Sequence, residues 1–213
     1  MNGVLITLEG IDGSGKTTVA NSLTRNLPRA HPKKRFLFTS EPTNGEAGKI
    51  LRSHLVARNS MISEKISQAK RMEELCLFMA DHADHLARIV IPGLDEGAII
   101  ISDRYADSTA AYQGVTLRGI VPKPLNWIRE VYASWNVVPR LTLFFSIKPE
   151  NAILRLRSRE NMEKFERLDF LNEVDQNFRK IIAMEPNRFV IVDSEMETDL
   201  VAEKALEAIL EVI

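Results

Sequence analysis

Nine residues near the N-terminus, "GIDGSGKTT" from Gly10 to Thr18, fit the spacing G-x-x-x-x-G-K-[ST] with Gly10, Gly15, Lys16 and Thr17 in the fixed places. The chemistry of that pattern is phosphate binding. Backbone N–H groups at a helix start point at phosphates, a lysine reaches the outer ones, and a hydroxyl joins the shell of a bridging Mg2+. Lys16 and Thr17 take the last two roles, and Ile11, Asp12, Gly13, Ser14 and Thr18 complete the loop. A carboxylate, Asp12, inside a loop suited to anions is the anomaly.

Three further groups carry chemistry. Asp103 ends an apolar run, "AIIIS", where a carboxylate can hold or orient a Mg2+ shell, and Arg104 beside it can clamp an acceptor phosphate bidentately. "RLRSR" sets Arg155, Arg157 and Arg159 at a helix exit ahead of the polar "ENMEK". Alternate residues do not share a helix face, so a surface stripe is a poor account of them. A mobile flap over about 155–166, bringing guanidinium groups onto transferring phosphate, is a better one. Glu41, in "EPT" after a strand, could act as a base toward a hydroxyl acceptor.

Absences also discriminate. There is no N-K-x-D, and the only D-x-x-G lies inside the phosphate loop, which disfavours a GTPase switch. No histidine–carboxylate pair stands out as a catalytic base. A phosphate monoester, already mostly dianionic at neutral pH, needs none, so a nucleoside monophosphate acceptor is favoured over an alcohol. Another nucleotide kinase, with a different monophosphate or a deoxynucleoside as acceptor, and a nucleotide-binding regulator without transferase activity stay as alternatives.

The elements that must position these groups are legible. Five short runs, "VLITLE" (4–9), "RFLFTS" (35–40), "AIIISD" (98–103), "LTLFFS" (141–146) and "RFVIVD" (188–193), are nearly continuous in apolar residues, as in a parallel sheet covered on both faces. Helical patterns lie between them, the first with Val19, Leu23 and Leu27. The expected fold is a doubly wound α/β sheet in a single domain over 1–213, with ligands beyond the carboxyl ends of the strands. A long helix from about Ser63 to Val90 shows Ile66, Ala69, Met72, Leu75, Met79, Ala83 and Leu86 at three- or four-residue spacing, for the core or a second subunit, and "IPG" at 91–93 is expected to stop it.

Length and balance set the class. With 213 residues, 45% of them hydrophobic, one sizeable core is expected, and 28 basic against 29 acidic residues give no general field for nucleic acid. The single cysteine, Cys76, is read as core filler; with no signal peptide or membrane-length run, a cytoplasmic protein is expected. "DHADH" (81–85) hints at a metal site, but it lacks a third ligand.

With these motifs in hand, the sequence resembles the thymidylate kinase family along nearly its whole length. "LEGIDGSGKTT", "LFMADHADH" (77–85), "IISDRYADSTAAYQG" (100–114) and the arginine flap with "KFE" (164–166) occur in family order and spacing. The resemblance implies a five-stranded P-loop kinase fold and γ-phosphoryl transfer from ATP to dTMP with Mg2+, in a homodimer packed through helices. It implies that Asp12 turns from the ATP phosphates to the acceptor's 3′-hydroxyl. Phe78 matches the residue that stacks on thymine, Thr109 a base-contacting position, and Tyr112 the aromatic that crowds the 2′ position, with Gln113 beside it. Arg104 matches the acceptor-phosphate arginine, assisted by Arg52. Because Gly13 follows Asp12, the flap supplies the catalytic arginine, Arg159 leading and Arg155 and Arg157 behind it. Three positions depart from the family: His82 replaces an arginine that bonds thymine O4, Ser40 precedes Glu41-Pro42 where arginine is common, and Lys164 replaces a flap arginine. A neutral imidazole has shorter reach and no charge, so base selection is expected to relax toward dUMP.

Overall fold

The computed structural model describes residues 2–56, 64–157 and 167–213. The expected strands form one five-stranded sheet, β1 (Val4–Glu9), β2 (Phe36–Ser40), β3 (Ile99–Asp103), β4 (Leu141–Ser146) and β5 (Phe189–Asp193), in the order β2-β3-β1-β4-β5 with every pair parallel. From β1 the chain moves outward to β2, comes back to β3, and then crosses β1 to reach β4. The first strand therefore lies at the centre, and its carboxyl end opens where connections diverge to both sides.

Alternation along β1 sorts the two cores. Ile6 and Leu8 join Ile101, Leu143 and Phe145 against helices α1 (Lys16–Ala30) and α9 (Thr198–Leu210). Leu5, Ile100 and Phe144 face the other layer, which includes α5 (Ala106–Thr116), α6 (Pro124–Ala133) and α8 (Leu168–Met184). Each fully buried aliphatic or aromatic side chain contributes about 1.5–3 kcal/mol, so the strands are stabilised from both faces. α2 (Glu46–Val56), α3 (Glu64–His85) and α7 (Pro149–Leu156) complete the layers beside the strand ends.

Three sequence expectations are corrected here. "IPG" does not stop the long helix: a π-helical turn, Leu86–Val90, follows α3, and α4 (Ile91–Asp95) continues it. In that turn Ile91 N–H reaches back to Leu86 O, and Pro92 enters at the start of the next segment, where a missing N–H costs least. The chain turns only at Gly97, with φ +76. The apolar stripe also divides. Leu75 and Leu86 are buried, whereas Ile66, Ala69 and Ala83 are exposed together with Glu73, Cys76, Ala80 and Ala87. Cys76 is thus on the outer face of α3, not in the core. Most of the expected flap, 158–166, lies outside the described residues.

Candidate active site

The phosphate loop links β1 to α1 as expected. Gly10 (φ +144) and Gly13 (φ +82) take backbone conformations open to glycine, and a Cβ at Gly13 would stand 2.5 Å from Ala152 O of α7. No side chain fits there, so position 13 cannot supply an arginine. Lys16 is buried, with Nζ donating to Ile11 O at 2.8 Å and Ser14 Oγ at 3.0 Å. Burial, then the nearby Arg104 charge, pushes its ammonium down to about 7 against the pull of Asp12, Asp103 and Glu9. The lysine is therefore poised to gain charge when anions arrive.

Thr17 Oγ1 donates to Asp103 Oδ2 at 2.8 Å, joining the P-loop hydroxyl to the β3 carboxylate. Asp103 Oδ1 is buried without a hydrogen-bond partner among the described residues. A hydroxyl beside a carboxylate with one unused, buried oxygen suits a hard cation such as Mg2+. By contrast, no group of three or more His, Cys, Asp or Glu side chains able to hold a metal occurs among the described residues. The "DHADH" side chains are engaged elsewhere: Asp81 accepts from Thr43 N and Oγ1, and Asp84 pairs with Arg88.

Beyond the ends of β1, β2 and β3 lies a cleft of about 100 Å³. Asp12, Glu41, Phe78, Arg104, Thr109 and Tyr112, all named from the sequence, line it. Arg104 holds Asp12 Oδ1 through Nη2 and donates from Nη1 to Ser108 Oγ at 3.1 Å and Gly10 O at 3.3 Å. Its backbone is left-handed, φ +71, pinned by Arg104 N→Leu8 O at 3.0 Å and by Ser102 Oγ donating to Arg104 O at 2.7 Å. Such a conformation costs on the order of 1 kcal/mol and aims the side chain back over the loop. Tyr112 closes the arrangement: its hydroxyl accepts from Asp12 N–H at 2.9 Å and donates to Asp12 Oδ2 at 2.8 Å. Asp12 is thus held on the cleft side by a guanidinium and a phenol.

Three other expected site residues take different places. His82 is fully buried and does not line the cleft: Nδ1 bonds Glu41 Oε1 at 2.7 Å, Nε2 bonds Asn136 Oδ1 at 3.0 Å, and its ring packs between Tyr105, Tyr132 and Trp135. The expected contact of His82 with the base is therefore corrected, since both nitrogens are spent inside. Gln113 is fully buried, donating to Glu74 Oε1 at 3.0 Å and accepting from Thr116 Oγ1 at 2.7 Å. Arg52 braces the chain after β2, donating to Pro42 O at 2.7 Å, Thr43 O at 2.5 Å and Asn44 Oδ1 at 3.1 Å. Glu41 Oε1 accepts from both His82 and His85 Nδ1, each at 2.7 Å. Burial pushes the Glu41 carboxyl up, but the two histidines outweigh it and hold it below the usual range.

On the donor side, Arg155 Nη2 donates to Ser194 O at 2.8 Å, tying α7 to the loop after β5. Arg157 ends α7 and is exposed, and Arg159 lies outside the described residues. Sequence reasoning missed Pro42, Leu55, Tyr105 and Ser108 as cleft residues. Ser108 had a signal, being one helical turn beyond Arg104 in "DRYADS"; Leu55 had none, because its contact with the cleft depends on how α2 packs on α3.

A family model described as thymidylate kinase matches residues 8–205. A probable thymidylate kinase of Methanosarcina barkeri is 43% identical over 212 residues, covering 99% of this chain and 98% of the relative. One from Methanosarcina mazei is 43% identical over 215 residues, covering 100% and 98%, and one from Halobacterium salinarum is 40% identical over 210 residues, covering 99% and 97%. With the family model matching residues 8–205 and these relatives 40–43% identical along nearly the whole chain, the chain belongs to the thymidylate kinase family.

Proposed function

We propose that the cleft receives dTMP and that the chain transfers to it the γ-phosphoryl group of ATP, giving dTDP and ADP, in keeping with its family. One observation carries this: Asp12, Phe78, Arg104 and Tyr112 share a single cavity at the mouth of the phosphate loop. Phe78 offers a face for the thymine and Thr109 a hydroxyl at its edge. The Asp12 carboxylate accepts the sugar 3′-hydroxyl, and the Tyr112 ring occupies the room a 2′-hydroxyl would need. Arg104, already turned toward the loop, exchanges part of its hold on Asp12 for the acceptor phosphate. Two anions are thus brought together by fixed cations, with charge spread over the transferring oxygens met by guanidinium groups.

Thr17 and Asp103 would hold the Mg2+, which supplies charge neutralisation at the β- and γ-phosphates. Lys16 leaves Ile11 O and Ser14 Oγ for the outer phosphates and gains its charge there. With position 13 closed by Ala152, the remaining guanidinium comes from the segment at 155–166, Arg159 first, with Arg155 and Arg157 on the ATP side. The exposed seam Ile66, Ala69, Glu73, Cys76, Ala80, Ala83 and Ala87, spaced 3 and 4 residues apart along 22 residues of α3 and its extension, supports a homodimer packed on this face. No helix among the described residues is long and apolar enough to cross a membrane.

ADP release from ATP and Mg2+ across dTMP, dUMP, UMP, dCMP, AMP, thymidine and no acceptor tests this reading. It expects dTMP to give the highest kcat/KM. Preference for thymidine would move the chemistry to a hydroxyl acceptor with Glu41 as base, although Glu41 Oε1 already receives two histidines. Equal release without acceptor would replace transfer by simple hydrolysis.

A further inference from the structure

Glu9, the last residue of β1, is fully buried beneath the cleft and does not line it. It shares a strand face with Leu5 and Thr7, pointing under α5, where an apolar residue would be the ordinary choice. Instead its Oε1 accepts from Ser108 N–H at 3.2 Å and its Oε2 from the Ser108 hydroxyl. The same hydroxyl oxygen receives Arg104 Nη1 at 3.1 Å, and Arg104 in turn grips Asp12. One short chain of hydrogen bonds therefore runs from a carboxyl in the core to the guanidinium that faces the acceptor.

Charges face Glu9 from several elements. Asp107 stands in the first turn of α5, Arg104 in the loop before it, and Lys16 on α1. Asp107 is itself taken by Arg188, at 2.7 and 2.9 Å, and Arg188 also bonds Thr142 at 2.8 Å and Glu185 at 2.5 Å. That pairing leaves Asp107 as a fixed negative neighbour of Glu9.

We propose that Glu9 is a positioning residue: through Ser108 it sets where the Arg104 guanidinium stands and how much of its charge is left for the acceptor phosphate. The inference rests on the acceptor reading above and adds a residue below the site that touches no substrate. Burial first, then Asp107, pushes the Glu9 carboxyl up to about 8, against the opposing pull of Ser108 and Arg104. At pH 7 the group is mostly neutral and adds no charge of its own to the hold that Asp12 already has on Arg104. Above pH 8 a carboxylate forms beneath it and competes with the phosphate, so acceptor affinity falls as pH rises through 8.

The test is calorimetric binding of dTMP at pH 7 and pH 9, with Mg2+ and a non-hydrolysable ATP analogue present so that Lys16 stays charged. Wild type, Glu9→Gln, Glu9→Ala and Ser108→Ala are compared, with the melting temperature of each measured. The wild-type Kd should rise about fivefold between pH 7 and pH 9, as one pKa unit of coupling at a carboxyl titrating near 8 gives over that range. Glu9→Gln, which keeps the shape without ionising, should stay within about threefold of wild type at pH 7 and lose that pH dependence. Glu9→Ala and Ser108→Ala should bind dTMP about tenfold more weakly at pH 7 while their Kd for the ATP analogue is unchanged. Identical pH slopes for wild type and Glu9→Gln overturn the inference while leaving the acceptor reading intact. Absence of dTMP binding to folded wild type overturns both. Should Glu9→Ala not fold, the comparison of slopes in Glu9→Gln still decides.

Discussion

Replacing Tyr112 by phenylalanine removes one oxygen and nothing else, and the structure says what that oxygen does. It takes the Asp12 amide at 2.9 Å and gives its proton to Asp12 Oδ2 at 2.8 Å, so a single hydroxyl fixes both backbone and side chain of the loop acid. Net worth is about 1 kcal/mol for the neutral bond and about 1.5–3 kcal/mol for the one to a carboxylate. The Asp12 side chain is 28% exposed, so water recovers part of the second, leaving about 1.5–3 kcal/mol in all. For a chain of 213 residues that lowers Tm by about 3–12 °C. Released from the phenol, the carboxylate can turn both oxygens to Arg104 and draw it off the acceptor phosphate. KM for dTMP should then rise about tenfold, equivalent to about 1.4 kcal/mol, with kcat lowered less than about threefold. The ring remains, so discrimination against UMP should hold within about twofold. Steady-state kinetics with dTMP and UMP, beside a thermal melt, read all three. An unchanged dTMP KM together with ready use of UMP would show that the hydroxyl, not the ring, selects the sugar, and that Asp12 does not depend on it.

Three more outcomes are expected. Asp103→Asn should raise the Mg2+ concentration for half-maximal kcat at least about tenfold with only a small fall in Tm, since the amide oxygen still accepts from Thr17 while an NH2 takes the place of the unpartnered oxygen; an unchanged Mg2+ titration would take Asp103 out of the cation site. Lys16, lowered to about 7 in the free protein, is mostly neutral at pH 8 and must be charged against phosphate, so binding of an ATP analogue there should take up close to one proton. Binding heats measured in buffers of different ionisation enthalpy detect it, and buffer-independent heats would contradict it. His82→Gln should cost about 2–4 kcal/mol of stability by breaking the bridge between Glu41 and Asn136, yet leave the dTMP:dUMP ratio of kcat/KM within about twofold. A shifted ratio with an unchanged Tm would return His82 to the base.

The strands, the phosphate loop and the rim of Asp103 and Arg104 could be read from the residues because each depends on its near neighbours. Apolar runs, glycines at positive φ and strand-end carboxylates declare themselves locally. What was not legible depended on packing across the chain. His82 looked like a shortened arginine at the base edge, one helical turn beyond Phe78, and only the approach of Glu41 and Asn136 shows that its ring is turned inward. Cys76 looked like core because an unpaired cysteine behaves as a small hydrophobe, and only the packing of the neighbouring helices shows that its face of α3 is the outer one. Proline at 92 stopped the helix on paper because its missing amide was counted against a regular α-turn, whereas the preceding π-turn removes that demand. Glu9 was visible merely as the end of a hydrophobic strand.

One carboxylate oxygen, Glu41 Oε1, hooks two successive turns of α3 by way of His82 and His85, while the same helix sends Phe78 into the cleft and Ala80 and Ala83 outward. The helix therefore carries a cleft residue on one side and open surface on the other. A shift of the helix, pressed from its outer surface, would carry Phe78 with it, so the width of the cleft depends partly on whatever leans on the far side.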